Sequence, residues 1–394
     1  MTRALGVALA LVWAAVAALD LGTTPVWLQS FAQSTEAVVS CIILVWPVAT
    51  GAGVASAVHR RRTGVDDRLA SWPGNARFVL AVRDLGRLLL GATVGALATF
   101  VTVGVIATWS GSVPTLATAR GLVVALLGVA SLLGWGAVLG TVLPSYVVAA
   151  LAPIVVYLVL WLLPASTPWD PTVFTGTTAL AGQALQLDGG ALAVLVLWQG
   201  ATLAAALVVL RLLLSGAETA RATTMRRLAG AVTAIGVALG AFLLGPTGSM
   251  ADPWALRGMD AWDCASVDDD ATACLPKDLR PLRDDHLRGM AVVARGLRPL
   301  LDDGQALVIA SAELPSTPDD ARTVIVETSL VDAREQWAGS VTAAVATWEG
   351  EGDEPTAECM KNAEAVQDAW LRAFRGAAPP TPAALRALIG ACRP

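Results

Sequence analysis

Lysine and histidine are nearly missing from this chain of 394 residues. Its only lysines are Lys277 and Lys361, and its only histidines are His59 and His286. Neither lysine follows the glycine-rich spacing of a phosphate-binding P-loop, so nucleotide binding of that kind is excluded. The hydrolase patterns H-E-x-x-H, G-x-S-x-G and S-x-x-K are missing too. The sequence therefore predicts no catalytic residue, no metal site and no cofactor.

Charge is missing from the middle of the long apolar runs, although the whole chain has a net charge of −5. Residues 1–246 carry 13 Lys+Arg against 8 Asp+Glu, a net charge of +5. Residues 247–394 carry 14 against 24, a net charge of −10. This division predicts a helical membrane domain followed by a small acidic α+β domain. No basic patch is interleaved with aromatic residues, which excludes a nucleic-acid partner.

Seven apolar runs predict membrane-spanning helices, so we expect a mainly α, polytopic protein of the cell membrane. The runs cover residues 4–19, 37–58, 88–108, 121–141, 146–163, 191–214 and 228–244. The first run is short, and Ala-Val-Ala at residues 15–17 leaves a cleaved signal peptide open as an alternative. The semi-polar segment 164–190 suits the outer membrane interface.

The loop of residues 59–87 predicts the orientation, because it holds seven of the 13 basic residues of the first domain. Arginine is costly at the bilayer centre, and loops rich in Lys and Arg stay on the cytoplasmic side. A second basic cluster, in residues 215–227, falls on the same side if all seven runs span. We therefore expect the amino end inside and residues 247–394 outside the cytoplasm.

Four of the five cysteines lie in the acidic domain. They include no C-x-x-C pair, which disfavours a zinc site, whereas an even number outside the cytoplasm favours disulfides. Helices predicted over 354–374 and 381–391 form an antiparallel hairpin that brings Cys359 towards Cys392. Cys264 and Cys274 are close enough in sequence to pair locally.

The rest of the acidic domain predicts a helix over 279–301, strands over 305–310 and 322–327, and a helix from a cap at Ser329 to about residue 348. His286 follows two aspartates, and we expect it on a solvated helix face. The run of three aspartates at 268–270 is interpreted as an acidic surface loop, with calcium binding as the alternative.

The apolar runs contain almost no ionisable residue away from their ends, and Ser40, Cys41, Ser131 and Gln199 are among their polar residues. Ion-driven carriers usually need ionisable or coordinating groups near the midplane. Any transport is therefore expected to be driven by another subunit.

The loop sequence Gly64-Val-Asp-Asp-Arg-Leu-Ala-Ser-Trp-Pro-Gly-Asn-Ala-Arg77, together with the order of the runs, resembles the permease subunit of type-2 ABC exporters. In that family a coupling helix follows the second span, with a P-x-x-R pattern before the third. Here Pro73 and Arg77 are one residue further apart. The resemblance covers residues 1–215, and the seventh run and the acidic domain depart from the usual six-span pattern.

The resemblance implies a half-transporter that forms a homodimer or heterodimer and binds cytoplasmic ATPase subunits, which would hydrolyse the ATP. We refer to the residues it assigns to ATPase docking as the docking residues: Asp66, Asp67, Arg68, Leu69, Trp72, Pro73, Arg77 and Phe78. Trp72 and its apolar neighbours would fill a cleft in the ATPase, and the charged residues would form rim pairs. The cargo would be apolar or amphipathic, in contact with membrane lipid.

A non-transporting sensor or scaffold, whose outer domain binds a ligand or partner, is the alternative function. An enzyme tethered at the outer face is disfavoured because no motif supports it.

Overall fold

The computed structural model of the protein describes residues 1–23, 31–69, 76–112, 119–166, 185–187, 189–215, 254–256, 258–277, 279, 283–302, 305–311, 314–317, 321–326, 333–348 and 356–392. The protein is mainly helical, with small sheets and two disulfides. The helices of its first half are α1 (Thr2–Thr23), α2 (Phe31–Ser40), α3 (Ile42–Arg62), α4 (Val65–Arg68), α5 (Ala76–Trp109), α6 (Ala119–Val142), α7 (Tyr146–Ser166) and α8 (Gly189–Leu214).

In the part of the chain that the structure describes, five helical stretches are long and apolar enough to cross a membrane. They are Thr2–Leu19, Val38–Arg62, Ala76–Trp109, Arg120–Val142 and Gly189–Leu214. The predicted fifth run coincides with α7, whose apolar stretch Tyr146–Val159 is shorter. The predicted seventh run lies outside the described residues. These helices fit a membrane-embedded protein, and they correspond to runs that the sequence predicts.

Close contacts between small residues fix the direction in which these helices run. The contacts join Gly6 to Gly91, Ala10 to Gly95, Thr50 to Gly136, Val54 to Gly140, Gly51 to Pro153 and Gly134 to Ala206. In the pairs α1 with α5, α3 with α6, and α6 with α8, later residues of one helix meet later residues of the other. These pairs are therefore parallel. Gly51 meets Pro153 and Arg62 meets Tyr146, so α3 and α7 are antiparallel. Arg60, near the end of α3, meets Asp84, near the start of α5, so these two helices are antiparallel. The long helices α1, α3, α5, α6, α7 and α8 thus alternate in direction along the chain.

The predicted loop of residues 59–87 is mostly helical. α3 continues to Arg62, and Gly64 follows it with a φ of +66°, a left-handed conformation that favours glycine after a helix. α5 begins at Ala76, not at residue 88, and its 34 residues span about 51 Å against a hydrocarbon thickness of about 30 Å. Its first turns, which contain Arg77, Arg83 and Arg87, therefore extend beyond the apolar part of the helix.

The C-terminal part contains a four-stranded sheet covered by helices. Its elements are β3 (Trp262–Asp268), β4 (Ala271–Pro276), α9 (Arg283–Leu297), β5 (Leu307–Ala310), β6 (Arg322–Ile325), α10 (Ala333–Ala346), α11 (Ala357–Ala373) and α12 (Pro382–Ala391). The strand order is β3-β4-β5-β6, antiparallel between the first two strands and parallel between the others. Trp337 and Trp370 are the largest side chains of its core.

Most predicted elements of this part are present, but a hairpin was not predicted. β3 and β4 pair directly across Cys264 and Cys274, where the sequence predicts only a closed loop. The disulfides Cys264–Cys274 and Cys359–Cys392 are the predicted pairs. The Thr381 hydroxyl caps α12 by accepting a hydrogen bond from the Ala384 amide at 3.3 Å. The predicted cap at Ser329 lies outside the described residues.

His286 is buried, so its predicted position on a solvated face is wrong. It lies on one stripe of α9 with Met290, Val293 and Leu297, at spacings of four, three and four residues, and this stripe faces the core. The His286 ring meets the Trp337 ring edge to face, with centroids 5.1 Å apart. The adjacent aspartates 284 and 285 are exposed, as expected.

A short ladder connects the two parts of the chain. β1 (Leu185–Leu187) directly precedes α8 and pairs antiparallel with β2 (Trp254–Leu256), which precedes the four-stranded sheet. The C-terminal part therefore starts at the amino-terminal end of α8. Arg211 lies in the last turn of the same helix, about 33 Å further along its axis.

Candidate functional site

A cluster of charged side chains occupies the end of the bundle where α3 stops and α5 starts. We call it the arginine cluster, and it consists of Arg60, Arg61, Arg62, Asp66, Asp84 and Arg87. The three consecutive arginines end α3, and successive residues of a helix point about 100° apart. Each arginine therefore reaches a different neighbour.

Arg60 is the buried member, with only 4% of its side chain exposed. Its Nη1 lies 3.6 Å from Oδ2 of Asp84 on α5 and donates to the Ser56 hydroxyl at 3.5 Å. Its Nε lies 3.8 Å from Oδ1 of Asp66 on α4. Asp84 is also buried, and its Oδ1 accepts a hydrogen bond from Arg87 at 3.2 Å. One guanidinium thus connects α3, α4 and α5.

Burial raises the pKa of Asp66 above its ordinary value, against the opposing effect of Arg60 and Arg77. The geometry explains why desolvation prevails. Within the described part of the chain, neither Asp66 Oδ1 nor Arg60 Nε has a hydrogen-bond partner, so the long Arg60–Asp66 contact compensates little for the lost water. Asp66 lies on α4, outside the apolar helices.

The other two arginines connect α3 to α6 and α7. Arg61 donates to the Thr141 carbonyl at 2.9 Å, in the last turn of α6, where the partial negative charge of the helix end attracts a cation. The Arg62 guanidinium lies over the Tyr146 ring, 4.8 Å from its centroid, at the start of α7. Five helices are therefore joined at one end of the bundle through three adjacent residues.

The structure places the docking residues in different environments. Asp67 and Arg68 are exposed, and Leu69, Arg77 and Phe78 are half-buried at the surface beside them. Asp66 instead faces Arg60 and is only 15% exposed, so it is a poor candidate for a rim contact. Trp72 and Pro73 lie outside the described residues. The docking role of these residues stays a prediction.

Sequence reasoning missed Asp84 and the separate roles of the arginines. Asp84 is the only acidic residue of α5, and its position three residues before Arg87 was the available signal. Its contact with Arg60 joins residues 24 positions apart, and only the packing of α5 against α3 shows it.

The C-terminal part offers weaker candidates. Arg298 lies 3.4 Å from Asp268 and 2.9 Å from Asp270, so the aspartate run in the β3–β4 turn forms surface ion pairs. Among the residues that the structure describes, no group of three or more His, Cys, Asp or Glu side chains is arranged to hold a metal ion.

Comparison with known proteins gives no match to any protein-family model, curated protein or solved structure.

Proposed function

We propose that the chain is the membrane-spanning permease subunit of an ATP-driven exporter and docks a separate cytoplasmic ATPase through the docking residues of the 59–87 loop, beside the arginine cluster. The observation that carries this proposal is the burial of Arg60 between Asp84 on α5 and Asp66 on α4, which places α4 and the docking residues against the adjoining ends of α3 and α5. A segment that receives movement from a partner must be held firmly by the helices that it moves. The buried Arg60–Asp84 pair holds the end of α3 to the start of α5, and breaking such a pair costs several kcal/mol.

The orientation of the bundle supports the same proposal. Because α3, α6 and α8 run in one direction, Arg211 of α8 falls at the end that carries the arginine cluster. The β1–β2 ladder is at the other end of α8. If the basic end faces the cytoplasm, the C-terminal part lies outside, where disulfides persist.

Movement at α4 would reach the bundle through closely packed backbones. Arg60 would pass it to α3, and α3 meets α6 where a Cβ at Gly136 would lie 2.3 Å from the Thr50 carbonyl oxygen. With no side chain between them, the two helices would move together. The Ser131 and Thr202 hydroxyls, 2.8 Å apart, extend this connection from α6 to α8.

The test is purification of the tagged full chain from its native membrane in mild detergent, followed by an ATPase assay on the complex. We expect Mg²⁺-dependent, vanadate-sensitive ATPase activity to co-purify. Leu69→Glu and Trp72→Ala should each weaken docking by about 2 kcal/mol, or roughly 30-fold, if these residues anchor the interface. Arg295→Glu, an exposed change on α9, is the matched control and should retain the activity. Full activity with both docking variants would refute the proposal.

A membrane sensor is the second candidate, and the β1–β2 ladder favours it. A ligand bound to the C-terminal part would act on α8 through backbone hydrogen bonds of that ladder. For a sensor, no ATPase activity should co-purify with the wild-type chain, which separates the two functions in the same assay.

A further inference from the structure

An apolar cavity of about 260 Å³ lies between α1, α3 and α7. Leu9 of α1, Ala52 and Ala55 of α3, and Ala149 and Pro153 of α7 line it, together with other apolar residues. An engineered apolar cavity of about 150 Å³ stays dry and takes up benzene or xenon. The larger volume and the mainly apolar lining here therefore suit an apolar guest.

The cavity opens towards the outside of the bundle. α1 and α7 both pack on α3, and Ala8, which lines the cavity from α1, is exposed. Next to the cavity, α7 exposes Val147 and Leu151, which suit contact with lipid. A lipid chain could thus enter from the side without any helix having to move.

The guanidinium group of Arg62 lies beyond one end of the cavity. On α3 the lining residues Val48 and Ala55 continue as one stripe to His59 and Arg62, at helical spacings of seven, four and three residues. Arg62 is exposed, and its guanidinium lies over Tyr146, three residues before the lining residue Ala149. From Ala55 to Arg62 the axial distance is about 10 Å.

We propose that this cavity and Arg62 form a binding site for one anionic phospholipid of the leaflet at the charged end of the bundle. One acyl chain fills the cavity, and the phosphate lies against the Arg62 guanidinium, where juxtamembrane arginines attract anionic head groups. Tyr146, at the start of α7, holds the guanidinium at interfacial depth. This inference goes beyond the proposed function, because the site involves neither the ATPase nor the docking residues.

The test is native mass spectrometry of the full chain after exchange into bicelles of phosphatidylglycerol and phosphatidylcholine with identical acyl chains. We expect the wild-type chain to retain one phosphatidylglycerol. Ala8→Phe fills the mouth of the cavity at an exposed position and should lower the retained lipid about tenfold. Ala4→Phe is the matched control, since Ala4 is exposed on the same helix and does not line the cavity.

Arg62→Gln tests the head-group contact separately at another exposed position, where no buried group is disturbed. This variant should still retain lipid but lose the preference for phosphatidylglycerol. The proposal is overturned if Ala8→Phe and Ala4→Phe retain lipid equally, or if the wild type binds both lipids alike. A lipid-free dimer would overturn it as well, because a second chain would then cover the opening. Since no ATPase is present, any of these results leaves the export proposal unaffected.

Discussion

Arg60 shows how three identical neighbours differ once the chain is folded. The sequence groups Arg60, Arg61 and Arg62 as one basic run whose charge orients the chain. The structure buries Arg60 between two carboxylates, whereas Arg61 and Arg62 are exposed and reach a carbonyl and a ring. Composition cannot distinguish them, because the difference depends on how α3 is rotated against α5 and α7.

Removing Asp84 is expected to destabilise the protein more than any other single change at the arginine cluster. Asp84→Ala leaves the Arg60 charge buried without its α5 partner, which typically costs 3–5 kcal/mol, here taken as about 4 kcal/mol. Thermal unfolding in detergent, followed by the loss of helical circular dichroism, measures the effect.

The matched control for Asp84→Ala is Asp67→Ala, at an exposed position, which should change stability by less than about 0.5 kcal/mol. Replacing both buried partners, as in Arg60→Met with Asp84→Leu, should recover most of the loss, because well-packed apolar residues can substitute for a buried ion pair. If Asp84→Ala unfolds at the wild-type temperature, the pair contributes nothing to holding α3 and α5 together.

The raised pKa of Asp66 predicts how firmly α4 is held at different pH. The folded protein favours the neutral form of the Asp66 carboxyl. The stabilisation of the folded state by this carboxyl is therefore fully present below its ordinary pKa, roughly pH 4. It is lost as the pH rises through the raised pKa of the folded state. Hydrogen exchange of the Val65–Arg68 amides, corrected for intrinsic rates, should show less protection at pH 7 than at pH 4.

Asp66→Asn should remove this pH dependence, and Asp67→Asn should preserve it. Protection that increases with pH would contradict the assignment, because it would mean that the attraction of Arg60 outweighs the desolvation of Asp66.

Helices and strands with a strong hydrophobic periodicity or a clear cap residue were predictable from the sequence. Those that depend on tertiary contacts were not. In the sequence, Thr381 and Pro382 mark the start of α12, and in the structure Thr381 is the N-cap of that helix. The β3–β4 hairpin was missed because β3 contains aspartate, alanine and serine, which carry little strand preference. The continuity of α5 from Ala76 into the apolar run was missed because its first turns are charged, although arginine, leucine and alanine favour helices.

The contact between α3 and α6 gives a test at the scale of one helix pair. A Cβ at Gly136 would lie 2.3 Å from the Thr50 carbonyl oxygen, so Gly136→Ala must push the two backbones apart. Such overpacking typically costs 1–3 kcal/mol, here about 2 kcal/mol. Thermal unfolding of the purified chain measures the loss.

Gly200→Ala on α8 is the control, since a Cβ there meets nothing within 4 Å. It should be neutral or stabilising by up to about 1 kcal/mol, because alanine restricts the unfolded chain. Equal effects of the two changes would show that the close approach of α3 and α6 does not contribute to stability.

At the scale of the whole molecule, the sequence predicts the division into an apolar helical part and a smaller part with two disulfides, and it locates the charged loop. It does not show that α5 runs unbroken from Ala76 into the apolar run, or that Asp66 and Asp84 face one buried arginine. These features depend on contacts between residues far apart in sequence. The exporter assignment depends on a resemblance and on the way the arginine cluster holds α4 to the bundle.

The proposed exporter requires that the arginine cluster and the C-terminal part lie on opposite sides of the membrane. Single exposed cysteines at Asp67→Cys and Arg295→Cys, treated in intact cells with a membrane-impermeant maleimide, measure this directly. We predict that Arg295→Cys reacts in intact cells and that Asp67→Cys reacts only after the membrane is permeabilised. Labelling of Asp67→Cys in intact cells, or protection of Arg295→Cys, would contradict the account.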